Sequence, residues 1–418
     1  MEPDSPPRQQ RVALVTSGFD LGGGVPTIAR WLRDALRDTS GFQVVVHDLA
    51  TSSRDQLSRR LLKPRSFARS TLRRQSTKDD QLVAWGANAV EVEFMRYWPR
   101  RELTAALNDY DLVQVVAGSP ALALVARKVE VPVVVWLASV VEWERQRHLA
   151  EQAGPMRLWR LAMTRISSRI EVAALRRADA VLALNSNLAE HLGEAGIQAA
   201  TAMPGVDTRL FSPAESGWSR SGHLLSVCRL NDPRKGLERM ISAYGHIVAA
   251  NEAGPPLVLA GWGELPASLV EKIRRLDLGS RITIRPNVDP AALPELYRRA
   301  SVFVQASYEE GLGVSALEAM ACGIPVVSTD TAGSRETVAD GVTGLLVPQD
   351  PGSEVSRAIA GRVLEVLGGS GAELGAQARE RCLRRFSSAV ALQRFTDTYD
   401  RVREAASDRV PVREATSS

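Results

Sequence analysis

Cysteines, long apolar runs and an export signal are scarce or missing in this sequence. Its three cysteines, at positions 228, 322 and 382 of 418, are too widely spaced for a disulfide framework or a metal site. The longest apolar run, residues 131–141, is about half the length that crosses a bilayer. Residues 1–11 contain acids and three prolines but no apolar core, so no signal peptide is expected. These observations exclude a transmembrane protein and predict a cytoplasmic one with reduced thiols.

A large excess of one charge is also missing. With 52 basic and 48 acidic residues the net charge is +4, which does not indicate a nucleic-acid partner. Positive charge is concentrated in two segments, 54–78 and 157–177. Both can contact an anionic membrane peripherally, from the cytoplasm. The interpretation that we favour is a solvated insertion for the first segment and, for the second, a helix whose apolar stripe packs on a sheet. That stripe consists of Leu158, Ala162, Ile166, Ile170 and Ala173.

The length of the chain and its pattern of apolar runs predict an α/β protein with two domains. A chain of 418 residues exceeds what one hydrophobic core usually holds. Short apolar runs alternate with segments of helical periodicity in both halves, as in doubly wound parallel sheets. Residues 208–222 separate the halves as a polar linker. The resulting assignment is a disordered tail at 1–10, a first domain at 11–207 and a second at 223–387.

Residues 307–336 have the features of a pocket for a sugar nucleotide. Gly311 and Gly313 allow the backbone to approach a ligand closely, and the helix that follows offers free N–H groups and a positive dipole. Glu310 and Glu318 stand eight positions apart and point to the same side if the helix starts early. Because carboxylates accept hydrogen bonds from pairs of vicinal hydroxyls, this stretch predicts phosphate and sugar recognition together.

Two further motifs follow predicted strands. Arg229 and Lys235 supply a planar cation and a mobile one, which suit a diphosphate. A glycine run at 22–24 precedes a helix in the first domain, although a triple glycine alone is equally typical of a flexible turn. The pair Asp109 and Asp111 has the spacing of a metal-binding D-x-D motif. It precedes a strand, so we interpret it as structural and expect no metal site.

The string from Glu310 to Val326, EGLGVSALEAMACGIPV, resembles the signature of the family four retaining glycosyltransferases. The resemblance covers most of residues 11–400. It implies a GT-B fold, in which two Rossmann-like domains face a cleft, and a final helix within 388–418 that returns to the first domain. The expected reaction moves a sugar from a nucleotide-sugar donor to an unknown hydroxyl acceptor, without a cofactor or metal.

The resemblance also implies roles for individual residues. Glu310 would hold the hydroxyls of the donor sugar, Glu318 those of the ribose, and Arg229 with Lys235 would neutralise the departing diphosphate. We therefore assign Glu310, Arg229 and Lys235 to catalysis. The expected donor-binding set is Gly23, Gly24, Arg229, Lys235, Glu310, Gly311, Leu312, Gly313, Val314 and Glu318.

One position departs from the family pattern. Many members have a histidine facing the sugar at the end of the strand that begins near Pro132, and this chain has Ala138 there. Either Ser139, Glu142 or Glu144 takes its place, or the enzyme works without it. An alternative function therefore stays open: a non-catalytic subunit that binds a nucleotide sugar and assists a glycosyltransferase.

Overall fold

The computed structural model describes residues 9–21, 24–39, 41–50, 55, 57–68, 72–74, 82–89, 93–143, 155–350 and 354–408. The predictions for Gly23, for Glu144, for most of the tail at 1–10 and for much of the basic segment 54–78 lie outside these residues. The chain divides into two compact units. Unit 1 contains residues 1–204 and 392–418, and unit 2 contains residues 205–391.

Unit 1 is built on one sheet of eight strands in the described residues. Seven are parallel, and the short edge strand β3 is antiparallel to β4. The order across the sheet is β3-β4-β2-β1-β5-β6-β7-β8. Strands β1, β5 and β6 are almost wholly buried because helices cover both faces of the sheet. The strands are β1 (Gln10–Ser17), β2 (Phe42–Leu49), β3 (Leu72–Arg74), β4 (Leu82–Trp85), β5 (Leu112–Ala117), β6 (Val133–Leu137), β7 (Ala180–Ala183) and β8 (Ala200–Thr201).

Helices connect these strands as crossovers. They are α1 (Gly24–Arg37), α2 (Glu93–Arg96), α3 (Arg101–Asn108), α4 (Pro155–Leu175) and α5 (Ser186–Glu194), with 3-10 turns at Pro64–Ala68 and Pro120–Ala126. The apolar side chains of α1 recur at helical spacing and are buried, while its other face is polar.

Helix α4 buries only part of the apolar stripe that its sequence presents. Leu158 is 70% exposed and Ile166 is 40% exposed. Ile170 packs against the core, and the polar side chains of Thr164, Ser167 and Glu171 are each under 9% exposed. The carboxylate of Glu171 accepts hydrogen bonds from the Ser119 hydroxyl and from the backbone N–H of residue 141. The expectation that the stripe packs on the sheet was therefore wrong for Leu158 and Ile166, whereas Ile170 packs against the core.

Unit 2 contains a second sheet whose six strands are all parallel. Its order is β11-β10-β9-β12-β13-β14, which is the 3-2-1-4-5-6 order of a Rossmann fold. In such sheets ligands bind beyond the carboxyl ends of the strands where the order reverses, here between β9 and β12. The strands are β9 (His223–Arg229), β10 (Leu257–Trp262), β11 (Ile282–Pro286), β12 (Ala300–Gln305), β13 (Val326–Thr329) and β14 (Gly344–Val347).

Helices cover both faces of this second sheet and bury its core of Leu, Ile and Val side chains. They are α6 (Leu237–Ala250), α7 (Ala267–Arg275), α8 (Leu293–Arg298), α9 (Val314–Ala321), α10 (Ala332–Thr337), α11 (Val355–Glu365) and α12 (Gly371–Arg385). The 3-10 turns Pro233–Lys235 and Pro290–Ala292 and the π-helical turn Val366–Ser370 complete the unit. The predicted class, α/β with two parallel-sheet domains, is confirmed.

The last helix, α13 (Ser388–Asp408), begins in unit 2 and lies mostly in unit 1. Within unit 1 the ring of Phe395 packs edge-on against that of Trp136, with centroids 4.7 Å apart. The hydroxyl of Tyr399 donates to Oε1 of Gln114 over 2.9 Å. Buried aromatic contacts thus hold α13 on the sheet of unit 1. Across the described residues, no helix combines the length and the apolar character that a membrane span requires.

Candidate functional site

The loop after β9 carries two of the predicted site residues. Arg229 is the last residue of the strand, and Lys235 ends the 3-10 turn that follows. Gly236 terminates this turn with a φ of +62°. A Cβ at Gly236 would lie 2.0 Å from the carbonyl oxygen of Ala306. Only glycine allows the turn to pack this closely against the end of β12, so the two strand ends are held together.

Asp232 organises the cations of this loop. Its Oδ2 atom lies 2.8 Å from Nη2 of Arg229 and 2.7 Å from Nη2 of Arg234. Its Oδ1 atom caps the 3-10 turn by accepting from the backbone N–H of Arg234. Burial opposes ionisation, but the hydrogen bonds from Arg234 and the charges of both arginines hold the pKa of Asp232 below its ordinary value. Arg234, predicted to be solvated, is thus half-exposed but paired.

Lys235 and Glu310 are in direct contact. The Nζ atom of Lys235 lies 2.7 Å from Oε2 of Glu310, and the two side chains are only 20% and 15% exposed. The hydroxyl of Ser307 also donates to this oxygen, over 3.4 Å. Two of the three residues assigned to catalysis therefore meet at the carboxyl ends of neighbouring strands, where one ligand can reach both.

The glycine loop leads into a helix with an open amino end. Gly313 adopts a left-handed conformation (φ +79°), and among the described residues no side chain caps the start of α9. The first N–H groups of a helix have no partner within it, so they are available to an anion. The loop is fixed from behind, since the Gly333 N–H donates to the Glu310 carbonyl over 2.9 Å. Leu312 is buried beneath the loop.

Glu318 occupies different surroundings from Glu310. Helix α9 begins only at Val314, so Glu310 lies outside it and the expected shared helical face was wrong. Oε2 of Glu318 accepts a 2.6 Å hydrogen bond from the hydroxyl of Tyr297. Burial raises the pKa of Glu318 to about 7, and the hydrogen bond from Tyr297 opposes this rise only in part. Because burial disfavours the charged form of Glu318, its carboxylate gains from hydrogen bonds that ligand hydroxyls donate.

Sequence reasoning missed the residues that support this site. Asp232 orients the arginines, Tyr297 orients Glu318, and Gly333 allows close packing of the loops. A sequence signal existed for Asp232 alone, because Asp followed by Pro is typical of a capped turn. The other two contacts join residues that are not adjacent in the chain.

In unit 1 the predicted glycine loop follows β1, and Gly24 is the first residue of α1. Ala138 follows β6 and is half-buried, with its N–H bonded to the carbonyl of Ala117. The hydroxyl of Ser139 bonds to the next carbonyl. Glu142 is about half-exposed, and its carboxylate lies 3.9 Å from His191. None of these contacts identifies a substitute for the missing histidine.

The D-x-D pair lies at the amino end of β5, away from the ligand-binding edge of the sheet. Asp111 accepts a 2.8 Å hydrogen bond from the backbone N–H of Arg11, and the Asp109 carbonyl accepts from the Arg11 guanidinium. Both residues thus join strand ends. In the described part of the chain, no group of three or more His, Cys, Asp or Glu side chains could hold a metal ion.

Comparison with known proteins identifies the family. The chain is 31% identical over 285 residues to an alpha-maltose-1-phosphate synthase from Mycolicibacterium smegmatis, an alignment covering 60% of this chain and 72% of that protein. The chain belongs to the group 1 glycosyltransferases. The profile of that family, glycosyl transferases group 1, matches residues 213–377, which include the whole site in unit 2.

Other relatives are matched over a smaller share of their length. A D-inositol 3-phosphate glycosyltransferase from Nocardiopsis dassonvillei is 33% identical over 44% of this chain and 49% of its own length. One from Segniliparus rotundus is 32% identical over 34% of each chain. The chain thus spans half or less of these two relatives.

Solved structures share the fold of this group 1 glycosyltransferase. A sucrose-phosphate synthase from Thermosynechococcus elongatus superposes with a TM-score of 0.68 at 22% identity, covering 95% of this chain and all of that one. HepE from Anabaena, solved in complex with UDP-glucose, gives a TM-score of 0.66 at 17% identity over 94% of this chain and all of that chain. These matches confirm the predicted GT-B class with two Rossmann-like domains.

Proposed function

We propose that this group 1 glycosyltransferase moves a sugar from a nucleoside diphosphate sugar to a hydroxyl acceptor with retention of anomeric configuration. The observation that carries the proposal is the contact between Lys235 and Glu310, 2.7 Å long, beside the open amino end of α9. This arrangement brings a mobile cation, backbone donors and a carboxylate to the carboxyl edge of the sheet of unit 2. A diphosphate linked to a sugar needs these three kinds of partner.

The diphosphate is assigned to the cations and the helix start. Arg229, oriented by Asp232, supplies a planar pair of donors, and its side chain is 39% exposed. Lys235 supplies a point charge, and the first N–H groups of α9 complete the set. Fixed donors of this kind stabilise the charge that develops on a leaving phosphate. We propose that they do so without a metal ion.

The sugar and ribose hydroxyls are assigned to the two carboxylates. When the phosphates draw Lys235 away, Glu310 regains the capacity to accept hydrogen bonds from the transferred sugar. The Glu318 carboxylate, held by Tyr297, accepts from the ribose. We propose that the departing phosphate oxygen takes the acceptor's proton on the same face, so no residue acts as a covalent nucleophile. The HepE complex with UDP-glucose supports a nucleotide sugar as the donor class.

Helix α4 is the surface that we propose for peripheral contact with an anionic membrane. Leu158 and Ile166 are exposed, and Arg165 and Arg169 are exposed beside them. Apolar side chains flanked by arginines suit the boundary between lipid headgroups and acyl chains. The three free cysteines fit a reducing compartment, so we propose the cytoplasmic face of a membrane.

A thermal-shift screen with UDP, GDP, ADP, dTDP and their sugars tests the donor assignment. A ligand present at 100 times its dissociation constant stabilises the folded state by about 2.7 kcal/mol. We expect one nucleotide to stabilise the protein, and Glu310→Ala to abolish sugar transfer while the protein stays folded. Unchanged turnover in this variant would overturn the assignment.

A non-catalytic partner subunit is the second candidate, and Ala138 at the position of the expected histidine favours it. It predicts that a nucleotide sugar binds but is neither transferred nor hydrolysed. Product formation in a purified preparation, lost in Glu310→Ala, excludes this candidate.

A further inference from the structure

Two segments of unit 1, residues 57–59 and the start of α3, pack against the loop at 86–89, which follows β4. The Arg100 guanidinium donates through Nη1 to the carbonyl of Gly86. The backbone N–H of Arg59 donates to the carbonyl of Ala87 over 2.8 Å. A Cβ at Gly86 would lie 2.3 Å from the carbonyl oxygen of Leu57, so the segments pack tightly. Two arginines thus approach one loop from different parts of the chain.

Arg100 is a buried cation with most of its donors unused. The residue is 6% exposed. Apart from its bond to Gly86, its Nε and Nη2 atoms have no hydrogen-bond partner among the described residues. The Nε atom of Arg59 is buried without a partner as well. Arginine is almost never this buried unless it is paired, and buried donors nearly always have partners.

The Arg100 guanidinium lies 6.0 Å from the centroid of the Trp85 ring, and among the described residues no carboxylate is in contact with it. Burial lowers the pKa of Arg100 to about 10, the positive charge of Arg59 contributes to this decrease, and Glu102 opposes it. The guanidinium therefore stays protonated at neutral pH. Two like charges share a low-dielectric site, which is unfavourable in the absence of an anion.

Other buried polar side chains near Arg100 also lack hydrogen-bond partners among the described residues. Among the described residues, eight buried side-chain N or O atoms have no hydrogen-bond partner, and five belong to this cluster. Besides the three arginine nitrogens they are Thr104 Oγ1, one turn along α3 from Arg100, and Asn88 Oδ1 in the loop. Such a concentration at one place indicates a missing ligand rather than scattered packing defects.

We propose that Arg59 and Arg100 bind a phosphate group, as a phosphate monoester or as orthophosphate. A guanidinium presents parallel donors that match phosphate oxygens, and the Thr104 hydroxyl can donate to a third oxygen. The Asn88 carbonyl accepts from a hydroxyl on the same ligand. Arg100 precedes the first residue of α3, so the positive end of that helix also favours an anion.

The position of the cluster connects it with the acceptor. Strand β4 ends at Trp85, at the carboxyl edge of the sheet and level with the end of β1 at Ser17. Because β4 is two strands from β1, these two strand ends are about 10 Å apart, within the span of a small phosphorylated sugar or cyclitol. This identification rests on the proposed transfer function, whereas phosphate binding itself does not.

Titration of the full chain with orthophosphate, followed by thermal shift at constant ionic strength and saturating nucleoside diphosphate, tests the site. The wild type should show a saturable rise in melting temperature that Arg100→Gln and Arg59→Gln each reduce at least tenfold in apparent affinity. Arg101→Gln is the matched control, since it removes the same charge from the exposed neighbouring residue. Equal responses in Arg100→Gln and Arg101→Gln, or no response in the wild type, would overturn the proposal.

Two further experiments are needed. Transfer assays distinguish an acceptor phosphate from a free anion, and Lys235→Ala tests whether the phosphate binds independently of the donor site. In transfer assays with sugar and cyclitol monophosphates, each beside its dephosphorylated form, competition by orthophosphate identifies an acceptor phosphate. A change in turnover without competition identifies a free anion as effector. Lys235→Ala should weaken nucleotide binding and keep the orthophosphate response once the nucleotide concentration is raised to saturation, so failure of the donor assignment leaves the site of Arg59 and Arg100 testable.

Discussion

Lys235 and Glu310 are 75 positions apart in the chain, yet their side chains meet at 2.7 Å. The contact exists because β9 and β12 are neighbours in the sheet and because Gly236 packs against the end of β12. A buried ion pair of this kind contributes little net stability, since desolvation offsets most of the attraction. We infer that it is kept for ligand binding, with each partner holding the other in position until a donor arrives.

Replacing Lys235 with alanine should weaken binding of the cognate nucleoside diphosphate by about 10- to 100-fold, because a hydrogen bond to a charged group is worth roughly 1.5–3 kcal/mol. The transfer rate should fall by about 10²–10³, since the cation acts mainly on charge that develops in the transition state. Calorimetric titration and steady-state kinetics measure the two effects.

Arg234→Ala is the control for Lys235→Ala. Arg234 belongs to the same 3-10 turn, but its guanidinium is bound to Asp232 and it is not assigned to the phosphates. We expect less than about a threefold change in rate, because Arg229 still neutralises Asp232. Equal losses in both variants would mean that the turn supplies only general positive charge.

Gly236→Ala should destabilise unit 2 and also displace Lys235 from the proposed diphosphate site of that unit. The new Cβ would clash with the carbonyl of Ala306 at 2.0 Å, and the left-handed backbone adds strain on the order of 1–2 kcal/mol. Gly341 also has a positive φ, of +72°, but its surroundings are open. Gly341→Ala therefore measures the strain alone. In urea unfolding, Gly236→Ala should be less stable than Gly341→Ala by at least about 2 kcal/mol, and a smaller difference would show that the turn can shift.

The raised pKa of Glu318 predicts that stability depends on pH. Its pKa rises from 4.5 in the unfolded chain to about 7 in the folded one, so between these values the folded state binds more protons than the unfolded state. Stability should therefore fall as pH increases from 4.5 to 7, by on the order of 3 kcal/mol for this group. Glu318→Gln removes the titration. Between pH 4.5 and 7, the unfolding free energy of the wild type should therefore fall by this amount relative to that of Glu318→Gln.

Donor binding should reverse this penalty. An ionised Glu318 accepts from ribose hydroxyls, so the affinity for a nucleotide sugar should increase as pH rises through 7. A nucleotide sugar is the appropriate probe because it lacks the monoester phosphate that titrates near pH 6. A pH-independent affinity in the wild type, equal to that of Glu318→Gln, would remove Glu318 from the ribose site.

Sequence alone predicted the strands that are buried on both faces, because their apolar runs are continuous. Strands β1, β5 and β12 are of this kind. The edge strands β3, β8 and β14 are two to four residues long and left no such signal. The sequence also predicted Lys235 and Glu310 as site residues, because phosphate and hydroxyl recognition restrict the residue types, and the structure brings these two side chains together.

What sequence could not supply is long-range pairing. The periodicity of α4 did not indicate that Leu158 and Ile166 are exposed, because the pattern does not show that Glu171 bonds to Ser119. Likewise, the contact of Tyr297 with Glu318 and the convergence of Arg59 and Arg100 on one loop depend on the order of strands. Residue spacing carries no information about such contacts.

The exposed side chains of Leu158 and Ile166 on α4 should contribute to membrane binding. Leu158→Asp and Ile166→Asp should each reduce binding to vesicles of anionic lipid by about tenfold or more, because burying a leucine or isoleucine side chain is worth roughly 1.5–3 kcal/mol. Raising the salt concentration should weaken the wild type further, since each arginine near an anionic surface contributes about 1 kcal/mol.

Val270→Asp is the matched control for this surface. Val270 is 47% exposed on helix α7 of unit 2, so the substitution adds the same charge at an exposed apolar position on a different helix. Vesicle sedimentation should show wild-type binding for Val270→Asp and a loss for the two α4 variants. If all three variants bind alike, or if the wild type binds neutral and anionic vesicles equally, α4 is not a membrane-contact surface, and its exposed leucine and isoleucine contribute nothing to localisation.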